Sequence, residues 1–154
     1  MDVCQDYEEL FKVLNSAEIK YLVVGSHAYF YHAEPRYTKD VDVWIFPEIN
    51  KPEEILKALK EFGAPTAHLT LDDFENKDMI IQIGVPPVRV DIMMAVPGLS
   101  FEKAWKNRKK AVYGKTTIHV LGFEDLLQSK RTANRPQDRL DVIRLLESRN
   151  KKKR

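Results

Sequence analysis

A single cysteine, Cys4, is the whole thiol inventory of this sequence. One thiol closes no internal disulfide, and no cysteine cluster exists for zinc. The expectation is a reducing, cytoplasmic setting. Charge of one sign is scarce as well: 25 Lys and Arg stand against 23 Asp and Glu, for a formal net charge of +2. Residues 151–154, Lys-Lys-Lys-Arg, carry +4 of it, which leaves the rest of the chain at −2. A body of that balance is not a general nucleic-acid binder. The tail either frays into solvent or touches RNA or phosphate. Long apolar runs are missing too. None approaches the roughly 20 residues of a membrane span, and the acidic start through Asp6 lacks the apolar core of a signal peptide. The four histidines, His27, His32, His68 and His119, include no i, i+4 pair of the kind that grips a metal on a helix. No internal repeat or low-complexity segment precedes the tail.

What is present is globular. The chain has 154 residues, 44% apolar and 31% charged, a size and composition that suit one domain with a sizeable core. We assign residues 1–150 to that domain and 151–154 to a basic tail. Periodicity predicts a helix over 6–16, with Tyr7, Leu10, Phe11 and Leu14 on one face. A buried strand follows at 21–24, then a helix over 26–33 ended by Pro35, and a strand over 40–46. A helix from Pro52 has Asn50 as its cap and acids in its first turn. Ile55, Leu56, Leu59 and Phe62 form its apolar stripe, and Gly63 closes it. Residues 71–76 suit one short helical turn. Strands over 79–83 and 88–94 flank Gly84-Val85-Pro86-Pro87 as an antiparallel hairpin. A helix capped by Ser100, a second hairpin around Gly114-Lys115 and two helices over 122–130 and 136–148 complete the chain. The last helix reads with Leu140, Ile143, Leu145 and Leu146 on its apolar side and Asp138, Asp141, Arg135, Arg139 and Arg144 on its polar side. The fold class is α/β (α+β): a mixed, partly antiparallel sheet, helices packed on one face, and the other face left open as a cleft.

That open face carries acids. Val41, Val43 and Ile45 alternate with Asp40, Asp42 and Trp44, and successive side chains on a strand point to opposite faces. Asp40 and Asp42 then share a face, about 6.5–7 Å apart at the usual rise per residue. Val88, Val90 and Ile92 repeat the pattern, with Arg89, Asp91 and Met93 opposite. If the two strands are neighbours, three carboxylates gather. Oxygen-only ligands favour Mg²⁺ or Mn²⁺ over zinc. Upstream, the apolar run Tyr21-Leu22-Val23-Val24 ends in Gly25-Ser26, as a buried strand does when it turns into a helix. The N–H groups of such a helix start bind anions, and glycine lets a phosphate come close. Metal beside phosphate suits a nucleoside triphosphate.

The order apolar-Gly-Ser, thirteen spacer residues, Asp-apolar-Asp-apolar, then apolar-Asp-apolar resembles the nucleotidyltransferases of the DNA polymerase beta superfamily. Arg36-Tyr37-Thr38-Lys39-Asp40 is similar to the Arg-x-Thr-x-Asp lead-in of small prokaryotic members, among them abortive-infection toxins and aminoglycoside or lincosamide nucleotidyltransferases. Lys130, followed by Arg135-Pro136, Asp138 and Asp141, is similar to a downstream motif of the toxin-like branch. The resemblance spans about residues 18 to 145. It implies a metal-dependent transfer of a nucleoside monophosphate from a nucleoside triphosphate to an acceptor hydroxyl, with pyrophosphate released. Asp40, Asp42 and Asp91 are the implied catalytic and metal-binding residues. Gly25, Ser26, Arg36, Thr38 and Lys130 are the implied nucleotide-binding residues. The acceptor stays open between RNA or tRNA, protein and a small molecule, and a small helical antitoxin is a possible partner.

Blander readings stand beside these. Asp91 could pair with a base across its hairpin. Asp138 and Asp141 could simply pair with Arg135 and Arg144 at helical spacing. Lys130 could point to solvent. Tyr29, Phe30, Tyr31 and Tyr37 could stack a base or fill the core, and His27 could assist phosphate binding or sit hydrogen-bonded at the surface. Two rival functions also remain: a catalytically weak nucleotide-binding subunit of a toxin–antitoxin pair, and an RNA-binding module using the tail.

Overall fold

Apolar alternation and helix-closing residues divide the chain into helices and strands close to those expected. The computed structural model describes residues 4–35, 40–85 and 88–153. In chain order it contains α1 (Gln5–Ser16), β1 (Tyr21–Val24), α2 (Gly25–His32), β2 (Asp40–Ile45), α3 (Pro52–Phe62), a 3-10 turn (Leu71–Glu75), β3 (Ile80–Val85), β4 (Val88–Met93), α4 (Phe101–Lys106), β5 (Lys109–Tyr113), β6 (Thr116–Val120), α5 (Phe123–Ala133) and α6 (Pro136–Lys153). Gly63 ends α3 with φ +94° and Asn134 ends α5 with φ +51°, the left-handed closure that frees a helix to stop. Pro136 then opens α6, where its missing N–H costs no bond.

The strands form one mixed sheet in the order β3-β4-β2-β1-β6-β5. β3–β4, β1–β2 and β5–β6 pair antiparallel, while β2–β4 and β1–β6 pair parallel. On one face, Val41 and Val43 of β2 lie beside Val90 and Ile92 of β4, all at most 2% exposed. Helix α1 covers that face with Tyr7, Leu10, Phe11 and Leu14, and Phe11 stacks on Tyr21 at 5.9 Å. Each such buried side chain contributes about 1.5–3 kcal/mol. On the opposite face, Trp44 meets Phe101 of α4 edge-on at 5.0 Å. The acid-bearing face is therefore covered at its Trp44 end and open toward Asp40.

Three local expectations change. Asn50 does not cap α3: Lys51 is the N-cap, without a side-chain bond. The Asn50 amide instead accepts from Lys20 N at 2.8 Å and donates to the Lys20 and Phe46 carbonyls at 2.9 and 3.1 Å. A buried amide that satisfies three backbone groups outweighs a single cap bond. Ser100 is the N-cap of α4 but makes no capping bond with its side chain. The largest change is in α6. Leu140 and Ile143 are exposed, whereas Asp138 and Asp141 are 1% and 0% exposed. Leu145 and Leu146 do pack inward as expected, but beside them α6 buries carboxylates, because α5 presents Lys130 there. The helix also runs on through the first tail lysines, and the Lys152 ammonium donates to the His32 carbonyl at 3.4 Å.

Asn50→Ala would leave the part-buried Lys20 N–H and C=O without their side-chain partner, while the Phe46 carbonyl keeps its backbone donors. We expect a loss of about 2–4 kcal/mol, read as a lower urea midpoint with unchanged slope. An unchanged midpoint would show that the amide is not a structural tie.

Candidate active site

The parallel register of β2 on β4 sets Asp40 beside Arg89 and Asp42 beside Asp91. Because both strands bury their alternate valines and isoleucine, the polar residues of the two strands share one face. One carboxylate oxygen from each of Asp40, Asp42 and Asp91 lies within 4.8 Å of the others. Asp91 is the most buried of the three, at 8% exposure. The neighbouring strands that the alternation required are thus in place.

Arg89 is the residue that sequence reasoning left without a role. Its Nη2 donates to Asp40 Oδ2 at 2.6 Å and to Asp91 Oδ2 at 2.9 Å. Its position two residues before Asp91 on the same strand was the available signal, since i and i+2 share a face. Asp91 therefore pairs along its own strand and not across the hairpin. Its other oxygen, Oδ1, is buried and has no hydrogen-bond partner among the described residues. A buried carboxylate oxygen left bare is costly. A divalent cation would satisfy it, and three carboxylates with no nitrogen or sulfur are the donor set that suits Mg²⁺ or Mn²⁺. The residues fit such an ion.

Asp42 feels this crowding most. Burial first, then the charges of Asp40 and Asp91, push its carboxyl from 3.8 to about 7, while Arg89 and Lys130 pull the other way. Gly25 lies directly against it: a Cβ on Gly25 would collide with the Asp42 carboxylate. Gly25 also has φ +64°, a left-handed conformation that side chains resist. The glycine is thus required twice, by the turn from β1 into α2 and by the approach to Asp42. The α2 N-cap is Val24, with no side-chain bond, and the first turn holds no acid. Its leading N–H groups remain available to an anion.

His27, in the first turn of α2, packs edge-on against Tyr7 at 5.9 Å, and the Tyr7 hydroxyl donates to the Arg89 carbonyl at 3.1 Å. Burial lowers the His27 pKa, with Asp40 opposing, so the ring favours its neutral form beside the acids. Tyr29 is buried and bonds Glu34 at 3.1 Å, which places it in the core rather than at a base. Arg36, Tyr37 and Thr38 lie outside the described residues.

Lys130 reaches the same cleft from α5. A cavity of about 190 Å³ is lined by Gly25, Asp42, Met93, Lys130, Arg135 and Asp138 among others. Lys130 is not turned to solvent: its Nζ lies 2.9 Å from Asp141 and 3.6 Å from Asp138. Arg135 does pair with Asp138, at 2.6 Å. The expected Asp141–Arg144 pair is replaced, since Arg144 faces Glu34 at 3.9 Å and Asp141 faces Lys130. A second cavity of about 260 Å³, between α1, α2 and the β5–β6 hairpin, touches Phe11, His27, Tyr31 and Val112. No carboxylate lines it among the described residues, so it offers a metal–triphosphate nothing to hold.

Comparison with known proteins agrees with this geometry. A family model described as "Nucleotidyltransferase of unknown function (DUF6036)" matches residues 1–147. No curated protein matches. Among solved structures, the lincosamide antibiotic adenylyltransferase LnuA bound to lincomycin aligns with TM-score 0.57 at 13% identity, over 94% of this chain and 98% of that one. ANT(2'')-Ia in complex with adenylyl-2''-tobramycin aligns with TM-score 0.55 at 11% identity, over 90% and 84%. TM1012 of Thermotoga maritima, described as a nucleotidyltransferase by assignment, aligns with TM-score 0.60 at 16% identity, over 92% and 90%. At these identities the likeness shows the fold.

The crowding of Asp42 has a pH signature. In the unfolded chain the carboxyl ionises at the ordinary 3.8, but in the fold only at about 7. Between those values the unfolded state binds fewer protons, so stability falls as pH rises and levels off above pH 7. Asp42→Asn should therefore be more stable than the parent at pH 8, by about 1–2 kcal/mol once solvent screening is allowed for, and no more stable at pH 3.5. Denaturant titrations at both pH values check this; a gain of equal size at both would remove Asp42 ionisation as its cause. Gly25→Ala should lose at least about 1–2 kcal/mol from backbone strain alone, measured by the same titration at neutral pH.

Proposed function

The chain belongs to the DUF6036 family of nucleotidyltransferases, and from that premise we propose that it moves a nucleoside monophosphate from a metal-bound nucleoside triphosphate to the hydroxyl of a small-molecule acceptor. One observation carries the metal dependence: three carboxylates converge within 4.8 Å beside a glycine-led helix start, with one buried oxygen of Asp91 lacking a hydrogen-bond partner among the described residues.

The roles follow from position. Asp40 and Asp42, on β2, would hold the cation that travels with the triphosphate, and Asp91 would complete its oxygen set. When bound, Mg²⁺ or Mn²⁺ neutralises phosphate charge and lowers the pKa of the acceptor hydroxyl. Gly25 lets a phosphate approach the first turn of α2, whose N–H groups donate to it, and Ser26 adds a hydroxyl. Lys130 supplies an ammonium from the opposite wall of the cleft. Arg89 holds Asp40 and Asp91 in place against their mutual repulsion. In the transfer, the acceptor oxygen forms a bond to the α-phosphorus while the bond from that phosphorus to the bridging oxygen breaks. Pyrophosphate leaves with that bond pair, and the acceptor proton passes to the Asp91 carboxylate. A small-molecule acceptor is favoured because LnuA and ANT(2'')-Ia, with lincomycin and a tobramycin adduct, share the fold. RNA binding through the tail is less well supported, since Lys152 already engages the His32 carbonyl inside the fold.

Asp91→Asn separates an enzyme from a nucleotide-binding relic. It keeps the shape of the side chain and removes its charge. We expect retained Mg²⁺-dependent triphosphate binding and a loss of transfer of at least about a hundredfold, measured in single turnover with each labelled triphosphate and a hydroxyl-bearing antibiotic panel. Near-normal transfer by this variant would take Asp91 out of the mechanism. Asp40→Asn should abolish the Mg²⁺-dependent part of binding, and unchanged affinity there would end the metal assignment.

A further inference from the structure

Helix α6 buries two carboxylates, Asp138 and Asp141, as deeply as its core residue Leu145. Asp138 and Asp141 are almost fully buried, while Leu140 and Ile143 on the same helix face solvent. Both carboxylates converge on Lys130 Nζ, at 2.9 Å from Asp141 Oδ2 and 3.6 Å from Asp138 Oδ1. Their remaining oxygens are anchored as well. Asp141 Oδ1 accepts from Gln137 Nε2 at 2.9 Å. Asp138 accepts from the Arg135 backbone N at 3.1 Å, Nε at 2.6 Å and Nη2 at 3.2 Å.

Stability does not explain the arrangement. Buried ion pairs replaced by apolar residues of similar volume often leave a protein equally or more stable, and α6 already packs Leu145 into the core beside them while leaving Leu140 and Ile143 outside. The cluster does something that leucine cannot: it holds one ammonium in one place. Lysine is a flexible stem whose rotamer freedom resists a fixed geometry. Two carboxylates one helical turn apart, each anchored by a second bond, remove that freedom. An ammonium has three donors, and two aspartates leave at least one for a ligand. The Lys130 side chain is only 12% exposed, and it lines the cavity that also holds Gly25 and Asp42.

We propose that Asp141, assisted by Asp138, is a positioning residue that holds the Lys130 ammonium at the cleft wall so that its free N–H meets a triphosphate oxygen. The proposal rests on the nucleotidyltransferase reading of that cleft. Two carboxylates offset Lys130 and Arg135, so the cluster draws phosphate through a pre-set donor and not through net charge. Affinity then depends on the lysine being ordered before the ligand arrives.

The test measures binding of MgATP, MgGTP, MgCTP and MgUTP to the full chain and follows the tightest. Asp141→Asn raises its Kd by about tenfold or more, the scale of a charge-assisted bond lost from its geometry, while the thermal midpoint stays within a few degrees. In a Lys130→Gln background the same substitution leaves Kd unchanged, because the group it positions is gone. A separate measurement uses the unaltered protein: bound nucleotide shields Lys130 from an amine-acylating reagent, read by peptide mass mapping, and this result decides if Asp141→Asn does not fold. Parental affinity in Asp141→Asn, an undiminished effect in the Lys130→Gln background, or labelling of Lys130 indifferent to nucleotide overturns the proposal and leaves the nucleotidyltransferase reading standing. Failure of the parent to bind any of the four overturns both.

Discussion

Like charges brought together repel, and the gathering of Asp40, Asp42 and Asp91 is the constraint that the surrounding structure answers. Two unit charges about 4 Å apart at a protein surface interact by roughly 4 kcal/mol. The fold meets this cost in three ways. Arg89 bridges Asp40 and Asp91 through one nitrogen. Lys130 adds a more distant positive charge that Asp42 feels. Asp42, the acid without a direct cationic partner among the described residues, keeps its proton to higher pH. A cation in the cleft would relieve all three acids at once, which is why an arrangement that is unfavourable alone becomes a site when loaded.

The scaffold explains how such a cluster is tolerated. Val41 and Val43 flank Asp42, and Val90 and Ile92 flank Asp91, all four in the core, so the strands are held by burial irrespective of what happens on the open face. The parallel β2–β4 ladder then fixes which acid meets which. Slipping that register by one residue would turn every side chain of the strand to the other face, burying Asp40 and Asp42 and exposing the valines. Hydrophobic burial thus protects the charge geometry.

A second charged cluster behaves differently. Around Lys130 the charges balance locally, and each acid has a named partner. Lys130, held by Asp141 and Asp138, faces the same cleft as the uncompensated acids. The cleft therefore has one wall short of positive charge and one wall with an ordered ammonium, beside the free N–H groups of α2. A metal-bearing polyphosphate is complementary to both walls, because its cation suits the first and its oxygens suit the second.

Much of this was legible from local patterns. Period-two alternation placed β2 and β4 and put their acids on one face, and Val24-Gly25 announced a strand turning into a helix. Those features depend on neighbours within a few residues, which the sequence displays directly. What it did not display were partners. Asn50 sits where a cap belongs, but tertiary contact with Lys20 claimed its amide. Arg89 lay in view on the right face, yet only the neighbouring strand made it a bridge. For α6 the apolar count pointed to Leu140, Ile143, Leu145 and Leu146; Leu145 and Leu146 do pack inward, but Leu140 and Ile143 give way to Asp138 and Asp141, because Lys130 stands opposite on α5. The sequence by itself determined which residues could share a face, since backbone geometry repeats every two or 3.6 residues. Only the tertiary structure decided which charge meets which, since that depends on strand register and helix docking between residues far apart in the chain.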